Sequence, residues 1–307
     1  MIKVAIAGAA TPDAGELIRI LVGHPDVTLT SLYEPSRKGE AASAVHHGLI
    51  GESVPSFSDR LDTSAFDVLF ICRHMAETDA IMSDLENKTE MRIIDLTQRT
   101  ASEVEGLGFV YGLPEMERKA LVRGARRAVV PGAMESVALV ALYPLAAHLM
   151  LSGDVRLRVE GAAPLLDAAL MVKAQNEIAS RLRSTQQSFT GNVSITAAAA
   201  DTRRGLRVRA ELDSPMTLPD IARLYEELYD DHNFTFLSPH AAPYAEVAGT
   251  DKIIISLSLA QGKLTIDAVA DGRMRGGAGE AVHVMNLLFG LAERTGLALK
   301  ASEYDAC

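Results

Sequence analysis

Short apolar, β-branched runs alternate with amphipathic segments of helical period through the first 131 residues. Strands that alternate with helices at this density build parallel sheets with helices on both faces. This part of the chain therefore predicts a Rossmann-like, doubly wound α/β domain. The predicted strands are residues 3–7, 27–33, 67–72, 92–96, 109–111 and 128–130, and the predicted helices include residues 12–22 and 76–85.

The pattern changes after a long apolar helix predicted over residues 133–150. Beyond it, polar and apolar residues alternate as they do in antiparallel sheets with one exposed face. A final helix over residues 279–294 is apolar on more than one face, which predicts burial on both sides, back against the first domain. The strands of this half are predicted at residues 154–160, 192–196, 206–212, 252–259 and 263–269, and its other helices at residues 167–182 and 218–229.

These patterns predict two domains. Residues 1–131 and 276–307 are expected to form a Rossmann-like domain of the dinucleotide-binding type. Residues 132–275 are expected to form an inserted α+β domain with a largely antiparallel sheet, of the type that binds substrate or mediates dimerisation.

Composition narrows the class of protein. The chain has 307 residues, 48% of them hydrophobic, so globular domains are expected rather than disorder. A net charge of −10 with dispersed basic residues argues against nucleic-acid and anionic-membrane partners. Cys72 and Cys307 cannot build a disulfide framework and lack metal-ligand spacing, which predicts a reducing, cytoplasmic location and no metal.

No membrane anchor is expected. The apolar run at residues 137–151 is shorter than the roughly 20 residues that span a bilayer, and Pro144 and His148 interrupt it. The chain opens on a strand, without the apolar core of a signal peptide.

The turn after the first predicted strand carries part of a dinucleotide-binding fingerprint. It runs from Gly8 into a predicted helix, the context that a phosphate-binding glycine loop requires. Only Gly8 is in register, because Thr11 and Ala14 stand at the positions of the second and third glycines. Thr11 as N-cap and Pro12 at the first helical position make a stable helix start without a ligand. Asp13 competes with a phosphate for the positive helix end.

The segment after the second predicted strand is where the adenosine ribose of a dinucleotide would lie. Ser36 and Arg37 are candidates to hold a 2′-phosphate, whereas Glu34 is a candidate to bind a 2′-hydroxyl. A solvated turn without a ligand is an equally good interpretation of these residues.

Pro131-Gly132 forms an elbow between a predicted strand and the long helix that starts near Ala133. Such an elbow places one side chain at a helix N-terminus, where free N–H groups and the helix dipole stabilise an anion. A cysteine at this point would be a reactive thiolate. The chain has an alanine there.

This elbow resembles the Pro-Gly-Cys elbow of the N-acetyl-gamma-glutamyl-phosphate reductases, which are similar to semialdehyde dehydrogenases. From Gly276 to Asn286 the sequence also resembles the family motif Lys-Gly-Ala-Ala-Gly-Gln-Ala-x-x-Asn-Met-Asn. Further segments that resemble the family lie at residues 15–19, 24–27, 45–49, 93–96 and 111–115. The resemblance implies a second domain like the C-terminal domain of glyceraldehyde-phosphate dehydrogenase. It also implies NADPH-dependent reduction of an acyl phosphate to an aldehyde, in arginine biosynthesis, through a thioester on the elbow cysteine.

The chain departs from the family where the resemblance places the chemistry. Ala133 stands at the position of the nucleophilic cysteine, and Ala174 stands at the position of the family histidine. The glycine-rich substrate loop is shortened to residues 161–164, and the family Asn after the late Asp is Gly272. No catalytic residue of the family is intact. These coordinated losses indicate relaxed selection on the whole site.

The resemblance still assigns candidate binding residues. For a dinucleotide they are Gly8, Ala10, Thr11, Pro12, Ser36, Arg37, Cys72, Arg73, Gly132, Gly276 and Gly277, and on the substrate side they are Arg204 and Ser136. NADP binding is expected to be weak or lost.

Two hypotheses follow. In the first, the chain is a catalytically inactive relative, a pseudoenzyme, that binds a partner or senses a small anionic metabolite. The partner would be a second copy in a dimer or tetramer, or an active paralogue in a mixed oligomer. In the second, it is a working NADPH-dependent reductase of N-acetylglutamyl 5-phosphate or a related acyl phosphate. Ala133 would then be an introduced substitution, or the nucleophile would lie elsewhere.

Overall fold

The computed structural model describes residues 1–84, 90–163 and 166–302 and divides the chain into two compact units. The first unit comprises Met1–Pro131 and Gly277–Leu297, and the second comprises Gly132–Gly276 and Ala298–Cys307. Residues 298–302 thus group with the second unit, whereas the sequence prediction assigned them to the first. The reason is local pairing, because the Ser302 amide donates to the Ala248 carbonyl at 2.8 Å. Three residues used in the sequence predictions, Leu85, Pro164 and Cys307, lie outside the described residues.

The first unit contains a seven-stranded sheet in which every pairing is parallel. Its strands are β1 (Ile2–Ala7), β2 (Val27–Tyr33), β3 (Phe57–Ser58), β4 (Val68–Ile71), β5 (Arg92–Asp95), β6 (Phe109–Tyr111) and β7 (Arg127–Val129). The order is β3-β2-β1-β4-β5-β7-β6, so the direction of winding reverses between β1 and β4. Ligands of doubly wound sheets bind at the carboxyl ends of the strands that flank such a reversal.

Among its described residues the first unit has four α-helices: α1 (Pro12–Val22), α2 (Ala76–Ser83), α3 (Pro114–Val122) and α7 (Ala278–Leu288). Every residue of α7 is buried, and α7 packs against α1 and α3. The sequence prediction that the last helix is buried on several faces is therefore confirmed. The helix ends earlier than predicted because Gly290, in the left-handed conformation at φ 67°, stops it.

The second unit is built on a six-stranded mixed sheet in the order β11-β12-β13-β10-β8-β9. Its strands are β8 (Val155–Gly161), β9 (Val193–Ala199), β10 (Gly205–Asp213), β11 (Thr235–Leu237), β12 (Ile253–Ala260) and β13 (Lys263–Asp271). The three central pairings are antiparallel, as the alternating sequence predicted, but the two outer pairings are parallel. Parallel neighbours need a crossover connection, and between β8 and β9 helix α5 (Ala168–Thr185) supplies it.

Helix α4 (Ala133–Ala147) is the central element of the second unit. It is buried along almost its whole length and packs on α5, on α6 (Leu218–Tyr229) and on strands β10 and β13. Leu149, in the left-handed conformation at φ 60°, follows the helix, which ends short of the predicted residue 150. Within the described residues, no helix has both the length and the apolar character needed to cross a bilayer.

A proline inside α4 is matched by a tyrosine from α6. Pro144 has no N–H to donate to the Val140 carbonyl, four residues earlier in the helix. The buried Tyr229 hydroxyl donates to that carbonyl instead, at 2.6 Å. Its neighbour Tyr225 donates to the next carbonyl, that of Ala141, also at 2.6 Å. The two tyrosines thus join α6 to the backbone of α4.

A partly buried ionic cluster joins α3 to α7 in the first unit. The Arg118 Nε donates to the Glu293 Oε1 at 2.9 Å, and the His283 Nε2 lies 2.7 Å from the Glu293 Oε2. Burial alone would raise the pKa of Glu293, but hydrogen bonds from His283 and Arg118 outweigh it and lower the pKa from 4.5 to about 2. The folded unit therefore stabilises the charged carboxylate.

Glu293→Gln is expected to lower the free energy of unfolding by about 2 kcal/mol at pH 7. The folded-state pKa lies below the unfolded value, so this contribution is complete above pH 4.5 and disappears as the pH falls toward about 2. Urea unfolding from pH 7 to pH 3 measures the difference between the two proteins. The matched control is Glu40→Gln, which removes an exposed ion pair with Arg37 and should change stability by less than about 0.5 kcal/mol. A loss for Glu293→Gln that is independent of pH would contradict the prediction.

Candidate functional site

The turn after β1 requires a glycine at its first position. Gly8 has φ 74°, and a Cβ added to it would lie 2.6 Å from the Cβ of Arg73, which follows β4. The turn and the end of β4 therefore approach each other closely at the reversal point of the sheet. A tight turn is what the first glycine of a dinucleotide-binding loop provides.

The rest of this turn is satisfied by the chain itself. The Thr11 side chain caps α1 by accepting the Ala14 N–H at 3.3 Å, and Pro12 at the first helical position has no N–H. The Ala10 N–H donates to the Glu34 Oε2 at 3.4 Å. A pyrophosphate binds through free N–H groups at a helix N-terminus. The turn fits a dinucleotide in part, because Gly8 provides the tight turn but few N–H groups are left to donate to the phosphates.

Glu34, at the carboxyl end of β2, accepts hydrogen bonds from several groups around it. Its buried carboxylate accepts the Ser36 hydroxyl at 2.7 Å and the Arg73 Nη2 at 2.6 and 2.8 Å. Burial alone would raise the pKa of Glu34, but the hydrogen bonds from Ser36 and Arg73 hold the pKa below its ordinary value. Arg37 turns away and pairs with Glu40 on the surface at 3.0 Å. The structure thus separates Ser36 from Arg37, the pair that the sequence suggested for a 2′-phosphate.

Two further side chains lie close to this turn. The Cys72 amide, after β4, donates to the Ala7 carbonyl at 2.9 Å, and burial raises the pKa of its thiol. The His46 Nε2 donates to the Ala9 carbonyl at 2.7 Å, and a Cβ on Gly15 would lie 2.4 Å from the His46 ring. Sequence reasoning gave His46 no role here. The signal available was Gly15, the one glycine inside α1, which leaves room for the ring.

The elbow of the second unit is formed by backbone alone. Gly132 is the N-cap of α4 and Ala133 is its first residue, with 8% of its surface exposed. Gly276 has φ 66°, and a Cβ added to it would lie 2.3 Å from the Ala133 nitrogen. The segment that contains Gly276 therefore lies directly against the elbow. The next residue, Gly277, is the N-cap of α7.

A fully buried ion pair holds this segment. The Arg275 Nη1 donates to the Asp251 Oδ2 at 3.3 Å, and the Arg275 Nε donates to the Ser136 hydroxyl at 3.1 Å. Arg275, Asp251 and Ser136 all have no exposed surface. Ser136, a substrate-side candidate from the sequence, is thus a fully buried residue in the first turn of α4 whose hydroxyl accepts a hydrogen bond from Arg275.

Two buried carboxyl groups, those of Glu135 and Glu177, come close where α4 packs against α5. Ala174, on α5, is fully buried, and Glu177 follows it by one turn. Glu135, two residues after Ala133, is buried as well. Burial raises the pKa of Glu135 from 4.5 to about 7, and the nearby Glu177 adds to the increase. Sequence reasoning missed this pair, because the burial of both residues depends on the packing of the two helices.

Arg204, the substrate-side candidate, is already paired. Its Nε donates to the Oδ2 of the buried Asp271 at 2.6 Å, and that oxygen also accepts the Gly249 N–H at 2.7 Å. Arg203, its neighbour, is exposed. Both arginines line a cavity of about 470 Å³, together with Thr202 and Tyr244. In residues 1–84, 90–163 and 166–302, no group of three or more His, Cys, Asp or Glu side chains is arranged to hold a metal ion.

Comparison with known proteins identifies the fold. Residues 3–123 match the family model described as semialdehyde dehydrogenase, NAD binding domain. The aspartate semialdehyde dehydrogenase II of Vibrio cholerae is similar with a TM-score of 0.71 at 13% identity, over 94% of this chain and 98% of that one. The aspartate semialdehyde dehydrogenase with NADP from Candida albicans has a TM-score of 0.63 at 11% identity, over 94% and 98% of the two chains. The two-unit fold is that of the semialdehyde dehydrogenases.

Relatives in sequence define the family more narrowly. The N-acetyl-gamma-glutamyl-phosphate reductase of Parabacteroides distasonis is 34% identical over 99% of this chain and 100% of its own length. The enzyme of that name from Bacteroides thetaiotaomicron is 32% identical over the same shares. The chain belongs to the N-acetyl-gamma-glutamyl-phosphate reductase family. The resemblance found in the sequence motifs is thereby confirmed.

Gly276→Ala is expected to destabilise the second unit far more than an ordinary change of glycine to alanine. The matched control is Gly262→Ala, in the turn between β12 and β13, where φ is 74° but the added Cβ would meet nothing within 4 Å. The control should cost about 1–2 kcal/mol for the left-handed backbone alone. Gly276→Ala should cost roughly 2–3 kcal/mol more, because the Cβ displaces the elbow backbone. Chemical denaturation measures both, and equal losses would contradict the close contact.

Glu135→Gln is expected to remove a dependence of stability on pH. The folded-state pKa of about 7 lies above the ordinary 4.5, so this group destabilises the fold progressively as the pH rises between those values. The variant should therefore gain about 2 kcal/mol relative to the parent between pH 5 and pH 8. Urea unfolding at both pH values tests this, with Glu226→Gln on the exposed side of α6 as the control. A difference of the same size at both pH values would contradict it.

Proposed function

We propose that this chain is a non-catalytic member of its family, a pseudoenzyme that retains the scaffold for binding. One observation carries the proposal: the residue at the N-terminus of α4, on which thioester chemistry depends, is Ala133. Reduction of an acyl phosphate by the thioester route needs a nucleophile that attacks the acyl carbon while phosphate leaves. A bound dinucleotide would then supply the hydride that releases the aldehyde. A methyl group cannot perform the first step.

The groups near the elbow do not replace the missing nucleophile. Ser136 is fully buried and its hydroxyl accepts from Arg275. Glu135 is buried, and its raised pKa leaves a large fraction of the carboxyl protonated near neutral pH. Ala174 has no group that could transfer a proton. The residue types around Ala133 thus support binding rather than covalent catalysis.

The second candidate is an active NADPH-dependent reductase of N-acetylglutamyl 5-phosphate. The observation that favours it is the full-length similarity to relatives that carry the reductase name. As a non-catalytic family member, the chain is further proposed to act as a subunit, in a homo-oligomer or together with an active paralogue.

The decisive experiment is a reductase assay paired with a test of the elbow. The purified chain is incubated with N-acetylglutamyl 5-phosphate and NADPH, and in parallel with NADH, while absorbance at about 340 nm is followed. We expect no oxidation above the rate without protein. Turnover by the unmodified chain would overturn the proposal and establish the second candidate.

Ala133→Cys is expected to produce a thiol whose pKa is lowered by the N-terminus of α4. The matched control is Ala147→Cys, at the exposed C-terminal end of the same helix, where the dipole raises the pKa of a thiol. Alkylation rates against pH, followed by peptide mass spectrometry, should give a pKa at the first site at least about one unit below that at the second. Equal values would show that the elbow has lost its anion-stabilising geometry as well.

A further inference from the structure

Glu34 occupies the position that reads the adenosine ribose in dinucleotide-binding folds. It lies at the carboxyl end of β2, beside β1, and the reversal of winding lies on the other side of β1. It also follows the turn after β1 by about 20 residues, the spacing at which an acidic residue binds the 2′-hydroxyl of the ribose. The position and the side chain therefore fit a ribose that has its 2′-hydroxyl free.

The contacts of Glu34 fix its carboxylate in place. Both oxygens are bonded to the Arg73 Nη2, one of them also accepts the Ser36 hydroxyl, and the other accepts the Ala10 N–H. Only 1% of Glu34 is exposed. These hydrogen bonds favour the charged form, so the carboxylate presents a fixed negative charge next to the turn.

The same contacts engage groups that could otherwise bind a 2′-phosphate. Such a site needs an Arg or hydroxyl donor that is available to the phosphate. Ser36 and Arg73 both donate to Glu34, and Arg37 is paired with Glu40 on the surface. A 2′-phosphate would bring a second anion against the buried carboxylate. A phosphate there would compete with Glu34 for the Arg73 guanidinium.

We propose that Glu34 makes the first unit selective for NAD(H) over NADP(H). The selectivity concerns the adenosine end of the dinucleotide and goes beyond the proposed function, because it is independent of what stands at Ala133. The few donors in the turn after β1 lower the affinity for both dinucleotides, since both carry the same pyrophosphate. The preference between them depends on Glu34 alone.

Titration calorimetry with NADH and with NADPH tests the proposal on the intact chain, without any turnover. We expect the Kd for NADH to be lower than that for NADPH by about tenfold or more, which corresponds to about 1.4 kcal/mol. Equal affinities, tighter binding of NADPH, or no binding of NADH at millimolar concentration would overturn the proposal. The reductase assay measures turnover and the calorimetry measures binding. A result that contradicts one of the two proposals therefore does not contradict the other.

Two variants isolate the residue responsible. Glu34→Gln keeps the size of the side chain and removes its charge, and it should narrow the preference by about tenfold or reverse it, because Arg73 becomes available to the phosphate. Glu40→Gln removes an exposed carboxylate from the neighbouring turn and should leave the preference unchanged. Circular dichroism and melting without ligand check that both variants fold. An unchanged preference in a folded Glu34→Gln variant would overturn the assignment to Glu34.

Discussion

The close approach of the Gly276 backbone to the backbone of Gly132 and Ala133 is the constraint on which the second unit depends. It fixes the start of α4, the helix on which the rest of that unit packs. The buried pair of Arg275 and Asp251 holds the approaching segment in place. Nothing in this arrangement involves a side chain at residue 133. The elbow therefore keeps its geometry with an alanine at position 133, because the contacts that hold it are made by backbone atoms and by the Arg275 side chain.

The turn after β1 is also held by contacts within the chain. Thr11 caps its own helix, and Glu34 takes the Ala10 amide and the Arg73 guanidinium. Groups that a ligand would otherwise use are satisfied by the chain itself. In the second unit Arg204 likewise donates to another residue of the chain, Asp271. Buried polar groups require partners, so a site that no longer needs a tightly held ligand is more stable when internal partners replace it.

Local sequence patterns predicted most of the elements. The bounds of α1, β2 and α6 match the predicted ones, because capping residues and hydrophobic period define them within a few residues. Three short or polar elements, β3, α3 and β11, were missed, since their residues carry little periodic signal. The parallel direction of the two outer pairings was not predicted, because strand direction depends on distant connections. Ala133 at the elbow could be identified from the sequence alone, because it follows the Pro131-Gly132 turn. The Glu34–Arg73 pair joins residues 39 positions apart, so only the folded chain reveals it.

The pairing of Pro144 with Tyr229 links two positions that are far apart in sequence. The proline leaves the Val140 carbonyl of α4 without its helical donor, and the tyrosine of α6 supplies one. The contribution of each residue to the free energy of folding therefore depends on the other. With an ordinary residue at position 144 the helix would satisfy its own carbonyl, and the hydroxyl of Tyr229 would compete for an acceptor already in use. The two positions form one thermodynamic unit, and their effects on stability should not add.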